Sequence, residues 1–378
     1  MRFFGLERAS RGNERKITLR MFFLPLICRV ANPCGVTMGG GVIYLYKYYL
    51  LGLKVYKNKS SSEQAFLLYA GGMGFSILKY VLNELETSGL ESPKIQNLCR
   101  GLDSQSKECV YRILSRQRDA YRNQQSSICA SLTNEEIETQ RRLHTEFLPN
   151  IYQLSQKLFY YNGYFFPADP RAEVSVHWHR HNMENFKNIQ KIRQKNIIDV
   201  GGFMGDSAVI FEDFTDKKIY TFEATKSNYE LLLQTLKLNN ATRVVPVNKG
   251  LGSQKQTLSI YVNGAGSTLC DYGSLQQASR SEETEIITLD SYVRENNIEV
   301  GFIKVDIEGF EQEFLKGAME TIKTQKPAML ISIYHNGADF FEIKPMIESW
   351  DLGYSFKIHK PLDFSVSTET ALYCEVLD

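Results

Sequence analysis

Two acidic residues near the ends of apolar runs are the first candidates for chemistry in this sequence. Asp199 lies in the run 197–200, and Glu223 ends the run 219–223. Short apolar runs predict buried parallel strands, whose carboxyl ends meet at one edge of a sheet. Glu223 also lies close to the spacing of about 20 residues after a glycine turn at which an acid accepts hydrogen bonds from ribose hydroxyls. These residues predict a nucleoside-binding crevice.

A glycine-rich turn joins the two runs. Gly201, Gly202 and Gly205 let the chain turn tightly and approach a ligand closely. Asp206 and Ser207 predict a helix start, where free N–H groups attract an anionic group of a ligand. The predicted cofactor-binding residues are Asp199, Gly201, Gly202, Phe203, Gly205, Asp206, Ser207, Glu223 and Asn248.

The order of the acid and the glycines separates two classes of cofactor. It reads D-x-G-G-x-x-G over residues 199–205, whereas the nicotinamide-binding fingerprint requires G-x-G-x-x-G. S-adenosylmethionine has a ribose, an amino group and a carboxylate but no pyrophosphate, and it suits this pattern better. The alternative is a turn whose glycines serve backbone geometry alone.

Three titratable residues follow two later predicted strands. Asp306 and Glu308 lie at the end of the predicted strand 301–306, and His335 follows the predicted strand 328–334. A carboxylate near a sulfonium stabilises its positive charge, and an imidazole that titrates near neutrality can take the proton of a hydroxyl. We therefore predict His335 as the base, Asp306 beside the methyl group and Glu308 as a third catalytic residue. The alternatives are a buried polar network for His335 and a helix cap for Asp306.

Other charged residues in this half of the chain are interpreted structurally. Lys304 lies inside a predicted core strand and must pair with a carboxylate if it points inward, because an unpaired buried charge is costly. His177, His179 and His181 would share one face of a strand, but no carboxylate or cysteine stands nearby at ligand spacing. We expect a modest polar surface there, and the sequence predicts no metal site.

The elements that position these residues alternate from residue 196 onward. Alternating strands and helices predict a parallel sheet with helices on both faces. A Gly- and Ser-rich insertion, residues 264–281, is expected to form a lid or an acceptor-binding loop between two extra strands, 257–263 and 285–289. The predicted strands of the main sheet are 197–200, 219–223, 243–248, 301–306 and 328–334, with 354–358 and 371–376 as an antiparallel pair.

The first 160 residues differ in character from the rest. Residues 1–60 form a basic and apolar arm, residues 61–160 a mainly helical region, and residues 161–378 the domain that holds the crevice. The helical region includes a degenerate Gly-rich βα unit at residues 66–85. The apolar stretches within residues 19–58 are too short to span a bilayer, so they either pack on the protein or make a peripheral membrane contact.

Composition excludes some classes of partner. The 378 residues are 43% hydrophobic, enough for a large core and more than one domain. A net charge of +1 gives no field that would favour nucleic acid. Seven scattered cysteines without a C-x-x-C pair indicate free thiols in a reducing compartment. We expect a cytoplasmic protein, with peripheral membrane association through residues 19–58 as the alternative, and the sequence leaves its oligomeric state open.

Several motifs in the second half of the chain occur together in one known family. Over residues 160–378 the sequence resembles the FkbM family of S-adenosylmethionine-dependent methyltransferases. The motifs that carry the resemblance are residues 199–207, 222–224, 289–292, 302–311, 315–318, 331–335 and 369–373.

The resemblance implies an α/β fold of the class I methyltransferase (Rossmann-like) type. Its sheet has seven mostly parallel strands with helices on both faces, here preceded by a mainly helical N-terminal region. By this likeness Asp199, Gly201, Gly205 and Glu223 contact S-adenosylmethionine, and Asp306 lies near the reaction centre. The implied reaction is methyl transfer to oxygen, and members of the family are often associated with glycans or secondary metabolites.

The leading hypothesis is an O-methyltransferase whose acceptor is a sugar hydroxyl of a glycan or glycan precursor, or another small molecule. A catalytically silent binding or assembly subunit with the same fold is the first alternative. A nicotinamide-dependent oxidoreductase is the second, and the glycine motif disfavours it.

Overall fold

The computed structural model describes residues 92–122, 132–261 and 281–377, together with five strands outside these ranges. The chain divides into two units, Met1–Leu51 and Gly52–Asp378. Three predicted segments lie outside the described residues, except where the five strands fall within them. They are the N-terminal arm, the Gly-rich turn and helix at residues 71–85, and the insertion up to residue 280. The five strands are β1 (Gly35–Met38), β2 (Gly41–Tyr44), β3 (Tyr56–Lys57), β4 (Gln64–Tyr69) and β5 (Ser127–Ala130).

Between residues 56 and 166, the described part of the second unit contains two small antiparallel sheets and three α-helices, all of them ahead of the main sheet. Strands β3, β4 and β5 pair antiparallel, and a meander follows the helices. Helix α3 begins with a capping box between Thr133 and Glu136, which satisfies two free N–H groups. These elements are α1 (Pro93–Cys99), α2 (Ser104–Arg122), α3 (Asn134–Arg142), β6 (Tyr152–Ser155), β7 (Leu158–Tyr161) and β8 (Tyr164–Phe166).

The remaining strands begin at residue 196. Strands β12 and β14 pair parallel and β13 and β14 antiparallel, which forms a small side sheet. The strands are β9 (Asn196–Val200), β10 (Ile219–Phe222), β11 (Val244–Val247), β12 (Gly250–Leu251), β13 (Gln256–Tyr261), β14 (Ser281–Ile287), β15 (Val300–Val305), β16 (Ala328–Ser332), β17 (Tyr354–His359) and β18 (Ala371–Val376).

Seven of these strands form the main sheet in the order β11-β10-β9-β15-β16-β18-β17. β18 runs antiparallel to both of its neighbours, and the other pairs are parallel. This is the class I methyltransferase arrangement, so the predicted fold and the predicted antiparallel closing pair are confirmed. The helices of this part are α4 (Val174–His177), α5 (Ile189–Arg193), α6 (Asp206–Phe211), α7 (Lys226–Asn239), α8 (Leu289–Asn296), α9 (Glu311–Gly317), α10 (Met319–Gln325) and α11 (Gly337–Glu348).

A hydrophobic core covers each face of the sheet, because successive strand residues point to opposite sides. Ile197 and Phe302 belong to one core, with residues of α6 and α7. Ile198 and Ile303 belong to the other, with residues of α8 to α11 and also of α1 and α2. The predicted boundary near residue 160 stays a prediction, and the first two helices share a core with the sheet.

Among the residues that the structure describes, no helix combines the length and the apolar character needed to cross a bilayer.

Candidate active site

A cavity opens at the carboxyl ends of β9, β10 and β15. Five of the residues predicted from the sequence line it: Gly201, Phe203, Glu223, Asp306 and Glu308. The structure therefore brings Glu223, at the end of β10, and Asp306, at the end of β15, to one cavity.

Other walls of the cavity carry no obvious signal in the sequence. Thr225 and Asn228 come from the start of α7, where the Thr225 hydroxyl caps the helix by accepting the Asn228 N–H. Lys249, Ile260 and Phe310 come from three different segments. The cap at Thr225 could have been recognised from its residue type, whereas the other three are brought in by the fold.

The glycine turn is required by close packing beneath the cavity. Gly201 has a φ of +89°, and a Cβ added there would lie 1.8 Å from the backbone oxygen of Asp306. A Cβ on Gly202 would lie 2.4 Å from the Thr221 Oγ1 atom. Gly202 and Gly205 do not line the cavity, so their contribution is to the shape of the turn.

Glu223 is buried and ties the turn to the end of β10. Its Oε2 atom accepts the Phe203 N–H at 2.8 Å, and Oε1 accepts the Thr225 N–H at 2.8 Å and the Thr225 hydroxyl at 2.7 Å. Burial raises the pKa of Glu223, while the hydrogen bonds from Thr225 oppose that rise. The same carboxylate faces the cavity, where it can accept hydrogen bonds from ribose hydroxyls.

Asp199 lies beneath the cavity and does not line it, although the sequence predicted a direct contact. Its side chain is fully buried, with Oδ1 3.3 Å from the Lys304 Nζ atom and Oδ2 accepting the Thr221 hydroxyl at 2.8 Å. Lys304 also donates to the carbonyl oxygen of Gly201 at 2.7 Å. Lys304 thus has the carboxylate partner that was predicted, and Asp199 positions the turn through it.

The start of α6 is turned away from the cavity. Gly205 is the N-cap, without a side-chain cap, so Asp206 and Ser207 lie inside the helix rather than capping it. Asp206 Oδ2 lies 3.6 Å from the Nε2 atom of His177, and the Ser207 hydroxyl lies 2.9 Å from Nε2 of His181. These two predicted cofactor residues therefore contact histidines rather than the cavity.

Asn248 forms a hydrogen bond with the backbone at the end of β10. Its Nδ2 atom donates to the carbonyl oxygen of Glu223 at 2.8 Å. Asn248 does not line the cavity. It lies next to the predicted ribose-binding acid, Glu223, but does not face the space that a ligand would occupy.

The expectation of a polar surface at the three histidines is wrong for two of them. His177 ends the short helix α4, and His181 lies in a left-handed turn with φ +56°. Both are buried against α6, and burial lowers the pKa of each to about 3. His179, half-buried, lies with Nε2 2.8 Å from the Leu362 carbonyl oxygen. The segment is not a strand, so the three rings do not share one face.

His335 is fully buried among carboxylates. Its Nδ1 atom lies 2.9 Å from Glu311 Oε1, and its Nε2 atom lies 3.2 Å from Asp306 Oδ1 and 3.6 Å from Glu308 Oε2. Burial alone would lower the pKa of His335, but Glu311, Glu308 and Asp306 raise it well above its ordinary value. A protonated ring cannot take a proton from an acceptor, so the geometry favours the buried network over the predicted base.

Two of the three carboxyl groups that line the cavity, those of Asp306 and Glu308, have pKa values shifted in opposite directions. Burial would raise the pKa of Asp306, but the hydrogen bond and charge of His335, with Lys304, lower it to about 2. Burial and the charges of Asp306 and Glu311 raise the pKa of Glu308 to about 8, against the opposing charge of His335. Asp306 is therefore a permanent anion, and Glu308 is a proton carrier near neutral pH.

A further carboxyl group that the sequence did not single out lies beside Asp306. The Tyr334 hydroxyl lies 3.5 Å from Asp306 Oδ1 and 3.2 Å from Glu369 Oε1, and the Ser175 hydroxyl donates to Glu369 Oε2 at 2.6 Å. Burial, followed by the charge of Asp306, raises the pKa of Glu369 to about 7. Because β18 is antiparallel, the residues before it reach the same sheet edge as the other strand ends.

Comparison with protein families gives one match. Residues 199–356 match the family described as "Methyltransferase FkbM domain". The matched residues lie within the region, 160–378, over which the sequence resembles this family. No curated protein matches the sequence.

Solved methyltransferase structures resemble the chain at low identity. The methyltransferase FkbM from Methylobacillus flagellatus KT is 17% identical with a TM-score of 0.47, over 79% of this chain and 60% of that one. An rRNA methylase from Streptococcus thermophilus is 15% identical with a TM-score of 0.31, over 54% and 96%. Fibrillarin from Aeropyrum pernix, with natively bound S-adenosyl-L-methionine, is 12% identical with a TM-score of 0.31, over 52% and 72%. The chain thus spans 60% of the length of the first of these proteins.

Proposed function

We propose, since residues 199–356 match the FkbM methyltransferase domain, that this protein transfers the methyl group of S-adenosylmethionine to a sugar hydroxyl of a glycan or glycan precursor. The observation that carries the proposal is the cavity at the strand ends, which has the carboxylates of Glu223 and Asp306 in its walls. The cofactor has a ribose at one end of its nucleoside and a sulfonium centre beyond it, and the two carboxylates suit these two groups.

The residues of the cavity fit the cofactor by chemistry. Glu223 is held by the Phe203 and Thr225 N–H groups, so its carboxylate is preorganised to accept hydrogen bonds from ribose hydroxyls. Gly201 lines the cavity without a side chain and allows close approach. Asp306, with its pKa lowered to about 2, keeps a negative charge that stabilises the sulfonium. When bound, the cofactor supplies the electrophilic methyl group.

The acceptor must lose its hydroxyl proton as the methyl group arrives. Glu369, whose pKa is raised to about 7, does not line the cavity. It contacts the Tyr334 hydroxyl, which lies 3.5 Å from Asp306 Oδ1, so a proton released beside Asp306 would reach Glu369 through that hydroxyl. The carboxylates and the tyrosine also suit an acceptor that presents several hydroxyl groups. The choice of a sugar follows the family resemblance of the sequence, and this cluster of hydrogen-bonding groups supports it.

Calorimetric titration of the full chain with S-adenosylmethionine and S-adenosylhomocysteine tests the proposal. We expect stoichiometric binding that Glu223→Gln weakens by roughly 1.5–3 kcal/mol, the value of a charge-assisted hydrogen bond. Glu230→Gln is the matched control, because Glu230 is exposed on the adjoining helix and should leave the affinity unchanged. Glutamine is preferred to alanine because it preserves side-chain volume where the carboxylate holds the turn.

Absence of cofactor binding by a folded chain would refute the proposal. If the cofactor binds but no S-adenosylhomocysteine forms with any polysaccharide extract or sugar acceptor, the silent-subunit alternative gains support instead. Formation of methylated product with a sugar whose hydroxyls are free, and none with the permethylated sugar, would establish transfer to oxygen.

A further inference from the structure

We propose that Asp306, Glu308 and His335 form a binding site for one divalent transition-metal cation at the wall of the cavity. The sequence predicted no metal site. Ligand atoms from these three side chains all lie within 4.8 Å of one another. They come from the ends of two neighbouring parallel strands, β15 and β16, which no local sequence spacing connects.

The separations of these atoms fit the edges of a coordination polyhedron. The Nε2 atom of His335 lies 3.2 Å from Asp306 Oδ1 and 3.6 Å from Glu308 Oε2. With metal–ligand bonds of about 2.0–2.2 Å, adjacent ligands stand about 3.0 Å apart in an octahedron and about 3.4 Å apart in a tetrahedron. Charge-assisted N–H···O hydrogen bonds are shorter, at about 2.7–2.9 Å. The contacts on the Nε2 side are therefore sized for a shared cation.

The other side of the imidazole has the hydrogen bond that a ligating histidine needs. Nδ1 of His335 lies 2.9 Å from Oε1 of Glu311, whose side chain is fully buried. The same oxygen accepts the Ile307 N–H at 2.9 Å, which fixes the carboxylate. Binding of the cation would displace the Nε2 proton to solvent, and a carboxylate on Nδ1 then keeps the remaining proton there and directs the Nε2 lone pair at the metal.

The carboxylates around the imidazole outnumber the single positive charge that its protonated ring can carry. Asp306, Glu308 and Glu311 surround one ring. Lys304 is held by Asp199 and by the Gly201 carbonyl oxygen. A divalent cation between Asp306 and Glu308 would balance the excess of negative charge.

The site is open to the ligand space. Asp306 and Glu308 line the cavity, so positions on the cation that the protein leaves vacant face the place where an acceptor would lie. Three protein ligands with open positions are typical of catalytic rather than structural sites. A set of one imidazole and two carboxylates suits Mn²⁺, Fe²⁺, Co²⁺ or Zn²⁺.

A role in methyl transfer rests on the proposed function. A hydroxyl that coordinates the cation loses its proton more readily, because the cation stabilises the alkoxide. The proton then passes to Glu369, the O–CH₃ bond forms as the S–CH₃ bond breaks, and the electron pair of the broken bond stays on sulfur. In this role the cation binds the acceptor, and its loss would raise KM for the acceptor as well as lowering kcat.

Titration of the chelator-treated full chain with Mn²⁺, followed by the electron paramagnetic resonance signal of free Mn²⁺, tests the site without cofactor or acceptor. We expect one Mn²⁺ per chain, displaced by Zn²⁺. Glu308→Gln and Asp306→Asn should each weaken Mn²⁺ binding by about tenfold or more, since each removes a charged ligand. Glu320→Gln, which changes an exposed acid on α10, should bind Mn²⁺ as the wild type does.

Circular dichroism confirms that each variant is folded before titration. A folded wild-type chain that binds neither Mn²⁺ nor Zn²⁺ stoichiometrically would overturn the site, as would wild-type Mn²⁺ affinity in both ligand variants. Cofactor affinity is measured separately, so failure of the metal site leaves the calorimetric test of the proposed function intact. Conversely, Mn²⁺ binding by a chain that does not bind S-adenosylmethionine would support the site and refute the function.

Discussion

Asp306 and Glu308 stand two positions apart, yet their surroundings shift their carboxyl groups in opposite directions. The pKa of Asp306 is lowered to about 2 because His335 and Lys304 outweigh the effect of burial. The pKa of Glu308 is raised to about 8 because burial and the charges of Asp306 and Glu311 dominate. Which of the two acids stays charged beside a sulfonium is therefore decided by the groups around it and not by its residue type.

At the residue scale, the buried neutral histidines predict a pH dependence of stability. Burial lowers the pKa of His181 to about 3 from its ordinary value of 6.5. Below pH 6.5 the unfolded chain takes up this proton and the folded chain does not, so the stabilisation present above pH 6.5 is lost as the pH falls toward 3. The loss at pH 5 is roughly 2 kcal/mol for this imidazole.

His181→Asn should reduce the dependence and leave the part that is due to His177, and asparagine tolerates the left-handed backbone at this position. The control is Ser207→Ala, which removes the hydroxyl facing His181 Nε2 without removing a titrating group. Its cost should be the same at pH 7.5 and pH 5. Urea unfolding at the two pH values measures both, and an equal pH dependence in wild type and His181→Asn would contradict the prediction.

The chemistry of the residues could be predicted from the sequence, but their orientation could not. Glu223 and Asp306 end apolar runs, and parallel pairing alone brings strand ends together, so both reach the cavity. Asp199 also lies in such a run but points beneath the sheet edge to Lys304. His335 was assigned as a base from its ordinary pKa, which its three carboxylate neighbours change. These neighbours depend on tertiary packing.

At the scale of elements, the turn from β9 to α6 and the end of β15 fit against each other. The Asp306 N–H donates to the Val200 carbonyl oxygen at 3.0 Å, which aligns the two strand ends. Gly201 then passes under the Asp306 backbone with no room for a side chain. The position of Asp306 in the cavity therefore depends on the lack of a side chain at Gly201, in the turn that follows β9.

Gly201→Ala should abolish cofactor binding, because the added Cβ would lie 1.8 Å from the Asp306 oxygen and would displace both elements. Gly163→Ala is the matched control. Gly163 has a similar φ of +93° but has nothing within 4 Å of an added Cβ. It should lose roughly 1–2 kcal/mol of unfolding free energy from backbone strain alone and keep the cofactor affinity of the wild type.

Thermal unfolding and calorimetric titration of both variants separate the two effects. Cofactor affinity in Gly201→Ala equal to that in Gly163→Ala would show that the turn does not depend on close packing against β15.

Element types were more predictable than their ends. All seven main strands were predicted, because apolar runs bounded by polar residues define them. The extra strand at 285–289 was placed too far along: β14 ends at Ile287, and Thr288 caps α8 by accepting the Ser291 N–H. The segment with three histidines alternates like a strand, but it forms a short helix and a left-handed turn because it packs on α6.

At the scale of the whole molecule, the helices that precede the domain are joined to the far edge of its sheet. The Gln117 Nε2 atom on α2 donates to the Ser367 hydroxyl at 2.8 Å, and both are buried. The Ser106 hydroxyl, also on α2, accepts the Ile358 N–H of β17 at 3.0 Å. The sequence could not show these contacts, since the partners stand about 250 residues apart and polar helices read as solvated surface.

The shared core predicts that residues 92–122 and the sheet unfold together. Leu98 on α1 and Ile331 on β16 are both fully buried in the same hydrophobic core. Leu98→Ala and Ile331→Ala should each lower the unfolding free energy by about 2–5 kcal/mol, the cost of a large-to-small change in a core. Because one core connects both residues, each variant should shift a single calorimetric transition.

Leu233→Ala is the control, since Leu233 is 42% exposed and its loss should cost less than about 0.5 kcal/mol. A separate early transition in Leu98→Ala, with the cofactor-stabilised transition unmoved, would show that the helices fold independently and that the predicted boundary near residue 160 divides two cooperative units.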